Sequence, residues 1–250
     1  MKTFTKDRLT VEIHGSRNEM GAAAATDIAA HIVGLLKKQD KVRMIFAAAP
    51  SQNEVLASLV ADNTVDWTRV EAFHMDEYQG LDVDAPQGFG NFLRDRIFKK
   101  LPFMDVHYIC GQKEAEKACE EYAALLSKAP IDIVCMGVGE NGHIAFNDPP
   151  ADFNDKALVK PVKLDEVCRQ QQVNDGCFAT IDDVPTTALT LTVPALFGAG
   201  ALFCVVPAAT KANAVQIMLN QPISESCPAS ILRCHDCAKL YLEPDSAAKL

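Results

Sequence analysis

Short apolar runs alternate with segments of helical periodicity along all 250 residues of the chain. The apolar runs predict strands at residues 9–13, 42–48, 70–74, 106–110, 131–136, 157–164, 188–193, 201–206 and 239–242. The helical periodicity predicts helices over about 17–38, 51–59, 89–99 and 113–127, with further helices between the later strands. Parallel strands need a crossover connection, so this alternation favours a sheet covered by helices on both faces. The predicted fold class is therefore α/β, with a mostly parallel, Rossmann-like sheet.

Signals at the ends of these segments agree with the predicted bounds. Ser16 and Glu19 have the spacing of a capping box before the first helix, and Ser51 and Glu54 repeat it before the second. Residues 75–87 are mostly polar and predict a long loop. No linker, repeat or low-complexity tract divides the sequence, so we expect a single domain over residues 1–250.

Composition and charge exclude several classes of protein. Hydrophobic residues make up 48% and charged residues 23%, which is typical of a globular protein in water. The net charge of −9, without a lysine or arginine cluster, argues against a nucleic-acid partner. No apolar run approaches the roughly 20 residues of a membrane span, and residues 1–6 lack the apolar core of a signal peptide. We therefore expect a cytoplasmic protein without a membrane partner, whose nine cysteines are thiols.

Cys234 and Cys237 form a CxxC pair that encloses His235. A zinc site needs about four ligands in tetrahedral array, and no second CxxC or paired histidines appear in the sequence. We interpret the pair as an incidental loop, with metal binding as the minor alternative. No metal site is predicted.

A glycine-rich segment follows the predicted strand at 131–136 and contains Gly139 and Gly142. Glycines let the backbone turn sharply at the carboxyl end of a strand, where open α/β sheets place their ligands. His143 and Asp148 emerge from this turn, with Asn141 beside them. A histidine oriented by a carboxylate at such a place predicts a general acid/base pair.

A second pair of candidate residues, Asp76 and Glu77, follows the predicted strand at 70–74. Both would lie at the same edge of the sheet as His143, because parallel strands end there together. Two adjacent carboxylates raise the pKa of at least one of them, which suits a group that accepts a proton from carbon. We therefore predict a proton-transfer site at this segment, with Asp76 and Glu77 as candidate catalytic and substrate-binding residues.

These two segments together carry a family resemblance. The run Phe-His-Met-Asp-Glu-Tyr at 73–78, combined with Gly-Val-Gly-Glu-Asn-Gly-His-Ile-Ala-Phe-Asn at 137–147, resembles the glucosamine-6-phosphate deaminase (isomerase) family. The wider superfamily includes the 6-phosphogluconolactonases. The resemblance covers nearly the whole chain, from the first predicted helix to the last strand.

The resemblance implies a role for each residue of the two segments. It implies that Asp76 moves a proton between C2 and C1 of the sugar, and that His143 opens the ring, oriented by Asp148. The family commonly has glutamate where this chain has Asp148, and often aspartate where it has Asn141. Backbone N–H groups around Gly139 and Gly142 are expected to stabilise the enediolate-like anion. No cofactor is expected.

The phosphate-binding end departs from the family pattern. The family has Gly-Gly followed by Thr or Ser, where this chain has Ala49, Pro50 and Ser51. Lys211 matches the family's phosphate-binding lysine. The family also has an arginine shortly before its Val-Pro, which this chain lacks, and Arg169 is the candidate substitute. We expect Ser51, Lys211 and Arg169 to bind the phosphate, or the substrate to differ at that end.

The implied function is conversion of glucosamine 6-phosphate into fructose 6-phosphate and ammonia, in the breakdown of amino sugars. The alternatives are hydrolysis of a sugar lactone, as in 6-phosphogluconolactonases, or the same deamination of a differently phosphorylated or unphosphorylated sugar. A non-catalytic sugar-binding protein is a further alternative, against which the pairing of Asp76 with His143 argues. The expected partner is a small sugar phosphate, and a homo-oligomer is possible.

Overall fold

The computed structural model describes residues 1–250 and contains eleven strands and seven α-helices. The strands are β1 (Lys2–Lys6), β2 (Leu9–Ile13), β3 (Val42–Phe46), β4 (Val70–His74), β5 (Asp76–Tyr78), β6 (Asp105–Val106), β7 (Ile133–Met136), β8 (Val159–Lys163), β9 (Thr187–Leu191), β10 (Ala201–Val206) and β11 (Ala238–Leu242). The α-helices are α1 (Arg17–Leu36), α2 (Asn53–Ala61), α3 (Phe89–Leu93), α4 (Ala115–Leu126), α5 (Glu166–Asn174), α6 (Val193–Phe197) and α7 (Ala212–Asn220).

Eight of the strands form the central sheet, in the order β1-β2-β11-β10-β7-β3-β4-β6. Every neighbouring pair is parallel except β1 and β2, which are antiparallel. The innermost strands are buried along their whole length, as the continuous apolar runs predicted. These features confirm the predicted α/β class with its mostly parallel sheet.

Helices cover both faces of the central sheet, and each face has its own apolar core. One core joins α1 and α2 to the sheet through residues such as Ile28 and Leu59. The other joins α4 and α7 to the opposite face through residues such as Tyr122 and Val215. The predicted coverage by helices is confirmed, and the sheet lies between the two cores as in other layered α/β proteins.

A second, three-stranded antiparallel sheet has the order β5-β9-β8 and was not predicted. Its strand β5 pairs Asp76 with Thr190, within the segment 75–87 that we predicted to be a loop. The three residues of β5 are polar or amphipathic, so their sequence carries no alternating apolar pattern. The pairing with β9 fixes the backbone of Asp76 directly beyond the end of β4.

Several predicted bounds need correction. The strand predicted at 106–110 is reduced to β6, and β1 was missed. The helix predicted at 89–99 is α3 followed by a π-helical turn, Arg94–Phe98. Ser51 does not cap α2, because a 3₁₀ turn, Pro50–Gln52, precedes that helix and makes no side-chain cap. Ser16 does cap α1, since its side chain accepts a hydrogen bond from the Glu19 N–H.

Helix α1 is long and apolar enough, by length and composition alone, to cross a membrane. This corrects the expectation that no apolar segment reaches that length. Its face formed by Met20, Ala24, Ile28 and Ile32 is fully buried in one of the two cores. The apolar character of α1 therefore has a structural explanation in the packing of the sheet.

Candidate active site

A cleft opens at the carboxyl ends of the central parallel strands. Its walls come from the segments after β3, β4, β7 and β10, together with helix α5. The lining residues are Ala47, Ala48, Ala49, Ser51, Gln52, Met75, Asp76, Phe89, Gly137, Val138, Gly139, His143, Ala145, Phe146, Gln171, Gln172, Asp175 and Lys211. This is the edge at which open α/β sheets bind ligands, and the structure brings Asp76 and His143 to the same cleft there.

Asp76 is only 6% exposed, and its carboxylate accepts no hydrogen bond from the protein. Burial raises the pKa of Asp76 well above its ordinary value, and the charge of the neighbouring Glu77 acts in the same direction. A carboxylate without hydrogen-bonding partners is a stronger proton acceptor than a solvated one. The geometry therefore suits Asp76 as a general base, the role that the family resemblance implies, and that role stays a prediction.

His74 helps to fix the position of Asp76. The Nδ1 atom of His74 lies 2.9 Å from the backbone oxygen of Asp76. Its Nε2 atom accepts a hydrogen bond from the Ile109 N–H, also at 2.9 Å. This arrangement is that of a neutral imidazole, and burial lowers the pKa of His74 to about 4. His74 is thus a structural support behind the cleft, and its ring is uncharged at neutral pH.

Glu77 does not face the cleft, although it was predicted to contact the substrate. Its carboxylate accepts hydrogen bonds from the backbone N–H groups of Tyr78, Phe89 and Gly90, at 2.8–2.9 Å. Two of these N–H groups belong to the first turn of α3, whose donors have no partner within the helix. Glu77 therefore holds the start of α3 against β5.

The glycine-rich loop leaves space for the His143 ring. A Cβ at Gly139 would lie 2.2–2.4 Å from ring atoms of His143, so only glycine fits there. Gly142 has a φ of +85°, in the left-handed region that favours glycine. The two glycines therefore determine where His143 enters the cleft, and Gly142 itself does not line it.

Asp148 and Asn141 orient the histidine from behind. His143 Nδ1 lies 3.2 Å from Asp148 Oδ1, at an angle outside that of a good hydrogen bond, so the contact is mainly electrostatic. Asn141 donates to Asp148 at 3.1 Å and accepts the His143 N–H at 3.0 Å. Burial alone would raise the pKa of Asp148, but the contacts with His143 and Asn141 outweigh it and lower the pKa. Asp148 therefore stays ionised beside the His143 ring.

Of the backbone N–H groups at residues 139–142 that were expected to stabilise an oxyanion, three already have partners in the protein, and the Asn141 N–H makes no hydrogen bond. The N–H of Gly139 is bonded to the His143 carbonyl, and that of Gly142 to the Gly139 carbonyl. The Glu140 N–H donates to Gln171 Oε1 at 2.8 Å. These three N–H groups are hydrogen-bonded within the loop or to α5.

Lys211 lies in the same cleft and is 4% exposed. Its Nζ makes no hydrogen bond, and its nearest acidic neighbour is Glu140 Oε1, at 3.8 Å. Burial lowers the pKa of Lys211, although the charges of Asp175 and Glu140 oppose that shift. We call Ser51, Gln172, Asp175 and Lys211, which line this part of the cleft, together with the neighbouring Glu140, the lysine pocket.

Helix α5 contributes three lining residues that the sequence analysis missed: Gln171, Gln172 and Asp175, the last directly after the helix. Gln171 accepts from Glu140, and its amide donates to Asp175 at 3.4 Å. A run of three glutamines on a predicted helix was a signal, because amides are common ligands of sugar hydroxyls. Which face of α5 meets the cleft depends on its packing, which the sequence did not show.

The other two residues predicted at the phosphate end differ in their placement. Ser51 lines the cleft, and its hydroxyl accepts from Gln52 at 3.2 Å. Arg169 does not reach the cleft, which corrects its expected role as a substitute ligand. Its guanidinium donates to the backbone carbonyls of Ile181 and Val184, at 2.6 and 3.0 Å, and so ties α5 to the following turn.

Two groups of side chains have the composition of metal sites. His143, Asp148 and Cys168 offer ligand atoms within 4.8 Å of one another, but burial raises the pKa of the Cys168 thiol, which keeps it protonated. Near the CxxC pair, His235 has both ring nitrogens engaged, with the Ala199 carbonyl and the Cys237 N–H. Neither group shows a complete ligand set, and the absence of a metal requirement stays a prediction.

Comparison with known proteins places this architecture among sugar-phosphate enzymes. Residues 15–241 match the family described as Glucosamine-6-phosphate isomerases/6-phosphogluconolactonase. The glucosamine-6-phosphate deaminase of Listeria innocua is 31% identical over 211 residues, 84% of this chain and 88% of that protein. The deaminase of Exiguobacterium sibiricum is 33% identical over 187 residues, 74% of this chain and 73% of that protein.

Solved structures show the same fold. A monomeric glucosamine-6-phosphate deaminase has 26% sequence identity and a TM-score of 0.88, over 96% of this chain and 99% of its own. The 6-phosphogluconolactonase of Trypanosoma brucei has 17% identity and a TM-score of 0.81, over 100% of both chains. The second likeness concerns the fold alone.

Proposed function

Because the chain belongs to the family of glucosamine-6-phosphate isomerases and 6-phosphogluconolactonases, we propose that it converts a 2-amino-2-deoxy aldose into a 2-ketose and ammonia. The similar deaminases are named for glucosamine 6-phosphate, which is the reference substrate and would give fructose 6-phosphate. The observation that carries the proposal is the Asp76 carboxylate, which is buried, free of hydrogen bonds and in one cleft with His143.

The first step is ring opening. His143, whose Nδ1 lies 3.2 Å from Asp148 Oδ1, gives a proton to the ring oxygen and recovers one from the C1 hydroxyl. The product is the open-chain aldehyde, whose C2 hydrogen is acidic because the carbonyl stabilises the resulting anion. Asn141 supports this step by holding both the Asp148 carboxylate and the His143 backbone.

The second step is proton transfer between carbons. Asp76 removes the C2 proton while the aldehyde oxygen takes a proton from solvent, which gives an enolamine. Asp76 then returns its proton to C1 and the amino group releases one to solvent, which leaves an imine at C2. Water then adds to the imine carbon, and ammonia leaves. One amino sugar and one water thus give one ketose and one ammonia, without a change of oxidation state that would require a redox cofactor.

The test is a coupled measurement of ammonia and ketose from glucosamine 6-phosphate and from glucosamine, with purified protein. We expect equimolar release of both products from at least one of these sugars. A protein that opens 6-phosphogluconolactone but releases no ammonia from either sugar would belong with the lactonases, and the proposal would be wrong. The nine free cysteines are in keeping with the further proposal that the enzyme works in the cytoplasm.

A further inference from the structure

Helix α5 begins beside the pair formed by His143 and Asp148. Asp165 precedes the helix and caps it, since its Oδ1 accepts the Cys168 N–H at 2.6 Å. The buried Cys168 thiol lies within 4.8 Å of a ring nitrogen of His143 and of a carboxylate oxygen of Asp148. The first turn of α5 therefore packs against the pair, although neither Asp165 nor Cys168 lines the cleft.

The side chain of Asn141 lies between two carboxylates. Its amide nitrogen donates to Asp148 Oδ1 at 3.1 Å and to Asp165 Oδ2 at 3.4 Å. Its amide oxygen accepts the His143 N–H at 3.0 Å. An amide nitrogen carries two hydrogens, so it needs two acceptors to use both of them. Asp165 supplies the second acceptor and thereby determines which way the Asn141 amide is turned.

The backbone of Asp165 contacts the other oxygen of Asp148. The Asp165 N–H donates to Asp148 Oδ2 at 3.4 Å. The first oxygen, Oδ1, is held by Asn141 and lies 3.2 Å from His143 Nδ1. Both oxygens of Asp148 thus have a donor that depends on Asp165, one through its backbone and one through Asn141. A carboxylate held at both oxygens keeps one orientation toward the imidazole, and proton transfer depends on such alignment.

We propose that Asp165 is a positioning residue for ring opening, which fixes the Asp148 carboxylate toward His143 through the Asn141 amide and through its own N–H. This inference rests on the proposed deamination, in which His143 and Asp148 open the sugar ring. The two oxygens of Asp165 have separate tasks: Oδ1 caps α5, and Oδ2 holds the Asn141 amide. Asp165 touches no part of the cleft and acts on the reaction only through the other three residues.

The test is Asp165→Asn, which separates the two tasks. Asparagine is also a good N-cap residue, but its amide places an N–H donor where Oδ2 accepted from Asn141. We expect kcat for the cyclic amino sugar phosphate to fall roughly fivefold, and kcat for an open-chain analogue that lacks the ring-closing hydroxyl to change by less than about twofold. Equal losses on the two substrates would overturn the inference.

Two further variants complete the comparison. Asp66→Asn is the matched control, because Asp66 caps the exposed 3₁₀ turn Trp67–Arg69 at the end of β4 away from the cleft. It should leave both rates unchanged. Asp165→Ala removes the cap as well and should lose stability in addition to rate. A loss of rate in Asp165→Ala without one in Asp165→Asn would make Asp165 a helix cap alone and overturn the inference.

A measurement without substrate separates this inference from the proposed reaction. NMR of protein labelled with ¹⁵N in its asparagine side chains records how fast the Asn141 amide hydrogens exchange with solvent. We expect exchange to be several-fold faster in Asp165→Asn than in the wild type and in Asp66→Asn, because one acceptor is lost. That result would support the inference even if no sugar released ammonia. Unchanged exchange in Asp165→Asn would overturn the inference and leave the deamination intact.

Discussion

The two halves of the cleft differ in how their polar groups are supported. Around His143, the Asp148 carboxylate is held by Asn141, and the loop backbone is bonded to itself and to α5. His143 Nδ1 makes no hydrogen bond, but it lies 3.2 Å from Asp148 Oδ1. In the lysine pocket, Lys211 Nζ and Glu140 Oε1 also make no hydrogen bond, and they lie farther apart, at 3.8 Å. Unpaired buried polar atoms are costly, so Lys211 Nζ has the most to gain from contact with a ligand. The first half is organised for proton transfer and the second for binding.

The sharpest way to break this comparison is to remove the base. Asp76→Asn should lower the rate of ammonia release by about 10²-fold or more, because an amide does not accept the C2 proton. The measurement is kcat together with deuterium exchange at C2 of the sugar. Undiminished exchange in the variant would show that another group is the base.

The same variant should be more stable than the wild type at alkaline pH. The pKa of Asp76 is raised on folding by burial, so the folded protein binds the carboxyl proton more tightly than the unfolded chain. The stabilisation from the protonated group is present below the ordinary pKa and is lost as the pH rises through the raised pKa. Asparagine stays neutral, and the free energy of unfolding at pH 8 should therefore increase. A lower free energy of unfolding in the variant than in the wild type at pH 8 would show that the ionised Asp76 carboxylate does not destabilise the fold.

The next effect in size concerns ring opening. His143→Gln should lower turnover of the cyclic sugar by roughly 10²-fold, because glutamine donates a hydrogen bond but transfers no proton. An open-chain analogue needs no ring opening and should lose less. Equal losses on the two substrates would assign His143 to the transfer between C2 and C1.

The proton-transfer half was predictable because its signals are local. The apolar run before residue 137 fixed the strand β7, and the glycines that follow fixed the turn from which His143 emerges. Likewise, the run at 70–74 placed Asp76 at the end of β4. These residues lie next to buried parallel strands, whose ends meet at one edge whatever the rest of the chain does.

The lysine pocket was less predictable because it depends on packing between distant segments. Asp175 and Gln172 reach the cleft only because α5 lies across it, and the sequence does not show where a helix docks. Arg169, on the same helix, is turned away to the carbonyls of Ile181 and Val184. Strand β5 was missed for a related reason, since its pairing with β9 joins residues more than 100 positions apart.

A smaller effect is expected from the residue behind the histidine. Asp148→Asn should lower turnover by about tenfold, because an amide holds the ring in place but does not favour the imidazolium. Since the pKa of Asp148 is lowered, its charge is lost only well into the acid range. As the pH is lowered, Asp76, whose pKa is raised, becomes protonated before Asp148 does, and the wild-type rate should fall at that point because the base is lost. A pH–rate profile in which the rate falls only at the ordinary pKa of a carboxylate would contradict the raised pKa of Asp76.

The smallest effect tests the lysine pocket itself. Lys211→Met removes the lysine charge of the cleft and leaves Glu140 without its neighbour at 3.8 Å, so kcat/KM for the 6-phosphate should fall several-fold relative to that for the unphosphorylated sugar. The measurement is a double-mutant cycle with Glu140→Gln on kcat/KM for the two sugars, since residues in contact show non-additive effects. We expect Lys211→Met to have a different effect in the Glu140→Gln background than in the wild type, because the 3.8 Å pair is already broken there. Equal effects in the two backgrounds would mean that Glu140 and Lys211 act on the sugar separately.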